Sequence, residues 1–171
     1  MPAGTVAGLV VLLLASLDPA VAGNARNDRI LNLPAGLEVP PGNNVAFHAF
    51  AAGVQIYEWS GSAWVFVAPE AVLCADAGGN GEVGIHYAGP TWESQSGSRV
   101  VGARVAGATV DPTAIPWLLL RAVSTDGPGI FHRITYIQRV NTTGGTAPAT
   151  PGAAAGTRVE VPYTAEYVFY R

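Results

Sequence analysis

The 171-residue sequence has no lysine, so its nine basic side chains are all arginine, and twelve carboxylates leave a net charge of −3. Holding a nucleic-acid backbone takes clustered cations, and these arginines are scattered along the chain. A general affinity for nucleic acid is excluded. No physical rule keeps lysine off every surface position, so its absence, with the excess of Ala and Gly, reads as the codon usage of a GC-rich bacterial genome. Cysteine occurs once, at Cys74, so no internal disulfide can form. Charged residues make up 12% of the chain, about half the usual fraction for a soluble domain. Heptads, solenoid repeats and long amphipathic helices are missing too, which removes coiled-coil and repeat architectures.

What remains is 49% hydrophobic and is punctuated by 21 Gly and 13 Pro, the profile of short strands joined by many turns. The length suits one domain. Residues 6–17 (VAGLVVLLLASL) form an uncharged apolar run, followed by Asp18, Pro19 and the small-residue stretch Ala20-Val21-Ala22. That run is shorter than the ~20 residues a membrane helix needs, and the A-x-A form suits signal peptidase. The expectation is a signal peptide over 1–22, a flexible lead-in over 23–32, and a β domain over 33–171. The mature chain would be secreted, periplasmic or in the cell envelope, with no stable membrane span after cleavage.

Strands are expected over 45–50 and 54–59, broken at Gly53, with a Ser60-Gly61-Ser62 turn leading into 64–67. Short strands follow at 72–74 and 83–87, then, after Trp92, a polar, turn-like stretch over 94–98 and an extended stretch over 99–105. Residues 115–124 (IPWLLLRAVS) are densely apolar at their start, as in a strand buried on both faces, with a helix the less favoured alternative beside so many turn signals. Alternation over 130–142 predicts one long strand. The run 143–156 (TGGTAPATPGAAAG) reads as a mobile loop, and 157–170 as a terminal strand whose aromatics lock the sheet. The fold class expected is all-β: a single antiparallel β-barrel or β-sandwich with Gly/Pro-rich loops.

The strings GVQIY at 53–57, HYAGPTWE at 86–93, IPWLLL at 115–120, IQRVNTxGG at 137–145 and VPYTAEYVFY at 161–170 resemble the DUF3455 family. This resemblance spans nearly the whole mature region. It implies a typically secreted bacterial or fungal domain of unknown function, some of whose members carry a malate dehydrogenase label. It also implies a cysteine near Trp59 and another near Ala153–Ala155, so a bridge of the family is missing here. Gly79-Asn80-Gly81-Glu82-Val83-Gly84 has the form GxGxxG, but Ile85-His86-Tyr87 and then Gly89-Pro90 follow it. Dinucleotide binding needs a helix there. An NAD-dependent dehydrogenase is therefore rejected, and no cofactor is expected.

His86, Trp92, Glu93, Ser98, Arg139 and Thr142 are the polar residues expected to converge on a ligand at one end of the strands. His86 can act as acid, base or hydrogen-bond partner, Glu93 as a carboxylate and Arg139 as an anion clamp. The competing bland reading is that these groups satisfy backbone or pair with one another, and that Trp92 and Trp117 are core. His48, His86 and His132 have no metal-ligand spacing, so no metal is expected. Ser98 lacks a nucleophile-elbow motif, and Cys74 reads as a small core residue. Tyr57, Trp59, Trp64 and Phe66 would make a sugar-binding platform only if one alternating face were exposed. The leading expectation is a domain that binds a small polar or carbohydrate-like ligand. The alternatives are a small enzyme using His86 and Glu93, and an envelope or surface interaction protein.

Overall fold

In residues 163–169 every second side chain is Tyr163, Ala165, Tyr167 or Phe169, all buried, whereas Thr164 is exposed and Glu166 half-buried. Period-two burial of this kind commits a strand to one inner face. The computed structural model describes residues 33–171 and Met1. The expected signal peptide and lead-in lie outside the described residues. Eight strands follow: β1 (Val45–Trp59), β2 (Trp64–Cys74), β3 (Glu82–Tyr87), β4 (Thr91–Ser94), β5 (Arg99–Ala108), β6 (Trp117–Asp126), β7 (Tyr136–Gly144) and β8 (Arg158–Tyr170). Each pairs antiparallel with its chain neighbour, and β8 also pairs with β1. One all-β sheet thus closes into a ring, and among the described residues no second sheet faces it.

The interior of that ring is narrow, and the sequence fills it with large rings against small residues. Ala49, Ala51, Ala71 and Ala165 share the core with Trp92, Phe131, Tyr163, Tyr167 and Phe169. Gly102 leaves room for Trp92, whose ring would touch a Cβ there. The expected break at Gly53 does not occur, because β1 runs straight through it, paired with Ala71 on one side and Tyr163 on the other. Glycine is needed there for close approach of β2: a Cβ would overlap the Glu70 carbonyl oxygen and the Ala71 Cα.

Other boundaries also move. Residues 64–67 and 72–74 belong to one strand, β2, which continues through Pro69. Pro69 sits in the half of β2 that has only β1 beside it, where a missing N–H is tolerated. The turn expected over 94–98 forms at residues 95–98, directly after β4 ends at Ser94. The apolar start of 115–124 is buried on both faces at Leu119 and Leu120, while the later part of the same strand is open, with Val123 55% exposed. The long strand expected over 130–142 starts only at Tyr136. Residues 127–135 instead fold across one end of the ring, where Phe131 and Ile134 are buried and Phe131 packs on Phe47 and Phe169. Their alternation reports burial at a plug, without a strand partner to pair with.

The segment before β1 covers the outside of β7 and β8. Gln138 donates to the Leu37 carbonyl at 2.6 Å and accepts from the Tyr170 hydroxyl at 2.6 Å, so both faces of these strand ends are buried. Thr143 and Gly144, expected in a loop, finish β7, and Gly145 bridges to Ala114. The following loop lies on Trp59 and Trp64, whose rings meet at 5.4 Å. The Trp64 indole donates to Thr150 O, the Gly156 amide donates to Trp59 O, and Gly152 abuts the Trp59 side chain. A tryptophan thus holds the loop at the place where the resemblance implies a disulfide. The condition for a Tyr57, Trp59, Trp64 and Phe66 platform is not met, because Tyr57 turns inward and the loop occupies the tryptophans.

Gly53→Ala is expected to destabilise the fold by at least ~2 kcal/mol, since the new methyl can be housed only by moving β2 backbone. Urea denaturation checks this, and an unchanged midpoint would show that β1 and β2 separate freely there.

Candidate functional site

The β3–β4 hairpin is short, and its ladders set the shape of the site. β2 pairs with β3 only from Ala71 to Cys74, and β5 pairs with β4 only from Arg99 to Val101. Towards the hairpin turn, the remaining halves of β2 and β5 have no strand between them. A cavity of about 450 Å³ opens at that point, within the ~300–1,000 Å³ usual for small-molecule sites. Phe66, Val67 and Pro69 of β2, Gly89 and Pro90 of the turn, and Arg104 of β5 line its mouth. Deeper walls come from Ile115, Pro116, Leu118 and Leu120, and the polar floor from Gln55, His86, Arg139 and Tyr167 beside Trp92.

Alternation along the hairpin sorts the expected residues. His86 pairs with Trp92 across β3 and β4, so both point inward, and their rings stack at 4.4 Å with a 10° tilt. Tyr167 meets both edge-on, at 5.2 and 5.3 Å. Ile85 pairs with Glu93, one residue out of phase, and so both lie on the outer face. There Glu93 accepts a 2.7 Å bond from the Tyr87 hydroxyl. Ser98 is fully buried at the plugged end, bonded to Ser94 at 2.8 Å and accepting from the Phe131 amide. Thr142 donates to Ile115 O at 2.6 Å and steadies a wall of the cavity without lining it. Three of the six expected residues, His86, Trp92 and Arg139, share the cavity. Glu93, Ser98 and Thr142 do not, so the expected convergence of all six is corrected, and His86 and Glu93 stand on opposite faces of the sheet.

His86 is 3% exposed, and its Nδ1 donates to the Thr91 carbonyl at 2.8 Å. Burial disfavours its charged form, the Thr91 bond only partly offsets this, and the Arg139 charge adds to the depression, giving a pKa of about 3. The ring is neutral at physiological pH. With its one proton committed to Thr91, Nε2 carries a bare lone pair. Arg139 is half-buried, and its Nε and Nη2 donate to Pro116 O at 3.1 and 2.8 Å.

Among the described residues, four buried side-chain polar atoms have no hydrogen-bond partner: Gln55 Nε2, Trp92 Nε1, Tyr163 Oη and Tyr167 Oη. Tyr163 approaches Gln55 and Tyr167, and Tyr167 approaches Arg139, closely enough for weak hydrogen-bonding contact, yet Gln55 Nε2, Tyr163 Oη and Tyr167 Oη are not held in good hydrogen-bond geometry. Burial drives the Tyr163 and Tyr167 hydroxyls well above the ordinary phenol range, so both stay protonated. Natural interiors leave few such groups, and three of these four belong to residues that line the cavity. Gln55, Tyr57, Tyr167 and Arg104 were not expected at the site. The signal for the first two was the Gln55/Tyr57 alternation in β1, whose polar phase turns inward; Arg104 offered none beyond its type.

Among the described residues no three of His, Cys, Asp and Glu cluster as metal ligands. His48 bonds to Glu166 at 2.9 Å, and His132 lies in the β6–β7 connection. Gly79 and Gly81 sit in the β2–β3 turn and Gly84 in β3, so the GxGxxG string opens onto a strand.

Residues 40–171 match the family model described as protein of unknown function DUF3455, and the chain belongs to that family. No curated protein and no solved structure matches it.

Stability is expected to depend on His86 between pH 6.5 and about 3. In that window the unfolded imidazole takes a proton that the folded one refuses, so stability is full above it and is lost as pH falls through it. The total is on the order of 5 kcal/mol. Urea unfolding of the wild type against His86→Gln checks this: the wild-type curve falls more steeply with acid. Parallel curves would mean that His86 is not held neutral.

Proposed function

We propose that this chain is an exported binding protein that takes a small polar, sugar-like or partly apolar ligand into the interior of a closed β-barrel. The observation that carries this reading is the set of unpartnered buried atoms on Gln55, Trp92 and Tyr167 beside a cavity of about 450 Å³. A buried polar group without a partner costs ~1–3 kcal/mol, a cost a bound ligand would recover. His86 supplies the matching acceptor, since Nε2 can take a bond from a ligand hydroxyl. Apolar walls at Ile115, Leu118 and Leu120 would cover the ligand's body. Export is supported by the apolar 6–17 run and the Ala20-Val21-Ala22 stretch.

The enzymatic reading draws less support. A general base works best with a pKa near the working pH, whereas that of His86 is about 3, and Glu93 lies across the sheet from it. The interaction reading rests on the unpaired halves of β2 and β5, which offer open edges to another chain.

A thermal-shift screen of sugars, sugar acids and small aromatic and aliphatic acids is expected to yield ligands that raise Tm. Leu118→Trp, which fills the cavity, is expected to abolish the shift while leaving the circular dichroism spectrum native. Ligands that stabilise both proteins equally would place binding elsewhere.

A further inference from the structure

The cavity is uneven in charge as well as in polarity. Arg104 and Arg139 line it, and none of its other lining residues is Asp or Glu. Ion pairs among the described residues are His48–Glu166, Arg99–Asp126 and Arg158–Glu58, so neither cavity arginine is neutralised. In a chain with more carboxylates than arginines, two unpaired cations facing one apolar cavity are a local excess that the net charge of −3 does not suggest.

Geometry adds to the charge. Arg139 is fixed before any ligand arrives, because two of its N–H groups are held by Pro116 O. The guanidinium has five such donors, so others remain to meet an anion without any rotamer freedom being lost. Its neighbours point to the same chemistry: the unpartnered Trp92 Nε1 can only donate, the Gln55 amide nitrogen donates, and the protonated Tyr167 hydroxyl can donate. A donor-rich, positive floor under apolar walls fits a ligand that ends in acceptor oxygens carrying negative charge.

We infer that the ligand is an organic acid, a carboxylate on a compact apolar or sugar-like body, with its charged group against Arg139 and Arg104 flanking it from the mouth. This rests on the binding-protein reading and names the ligand class for the same cavity.

The test compares matched acids and neutral analogues by titration calorimetry on the full mature chain: benzoate with benzamide, cinnamate with cinnamamide, and glucuronate with glucose. For at least one pair the acid is expected to bind about tenfold or more tightly than its neutral partner, with an advantage that shrinks as salt is added. Arg139→Gln is expected to weaken the acid far more than its neutral partner, so that the two bind nearly alike, and Arg139→Lys to retain part of the preference. If Arg139→Gln fails to fold, Arg104→Gln serves, and a drop in the acid's advantage is again expected. Neutral partners binding as well as their acids would overturn the inference and leave the binding reading standing. Failure of every acid and every neutral partner to bind would remove both.

Discussion

Everything in this fold depends on how little room an eight-stranded ring has inside. Where β8 turns Tyr163 and Tyr167 inward against β1, the positions opposite them hold Gly53 and Ala49, and Ala51 faces Ala165; only at the plugged end does a large residue, Phe47, stand opposite Phe169. Large rings on one strand and near-absent side chains on the next give the interdigitation that a closed sheet requires. The ring therefore holds together without a disulfide, and Cys74 stays a free, buried thiol.

The same constraint makes the two ends of the ring different. At the end near Asn44 and Arg171, the 127–135 segment inserts Phe131 and Ile134, and Phe47 and Phe169 pack against Phe131 to complete a dry plug. At the other end β3 and β4 are too short to close the wall between β2 and β5, and Gln55, Arg139 and Arg104 face space that no hydrophobic side chain fills. Core and site are thus two portions of one interior, divided by the His86–Trp92 stack with Tyr167 set edge-on against it.

The sequence made the strand content and the antiparallel order legible, because period-two burial and turn residues are local signals. It made the terminal strand legible in detail, since its aromatic alternation has one consistent inner face. Closure of the ring was not legible: it depends on pairing β1 with β8 over more than a hundred residues, which no local pattern encodes. The residues 130–135 show the opposite failure, since they alternate like a strand but have no neighbour to pair with. For the site, residue type was enough to single out His86, Trp92 and Arg139. Strand phase separates Glu93 from them, since it stands one step from Trp92 and so on the other face. Ser98 and Thr142 are polar because they satisfy the backbone near Phe131 and at Ile115, a role that residue type does not distinguish from ligand binding.

The chemistry of His86 follows from the packing that makes the ring possible. Stacked on Trp92 and edged by Tyr167, the imidazole is excluded from water on the sides where a cation would need it, so its proton is the single one directed at Thr91 O. Arg139 reinforces this from the same cavity, because a second positive charge there would face the first. A neutral, oriented ring beside a fixed guanidinium is a poor arrangement for moving protons at neutral pH and a good one for recognition. Its lone pair and the arginine's N–H groups present opposite hydrogen-bonding character side by side. A ligand that offers a donor to one and acceptor oxygens to the other would be held in one orientation, with its apolar surface left for Leu118, Leu120 and Ile115.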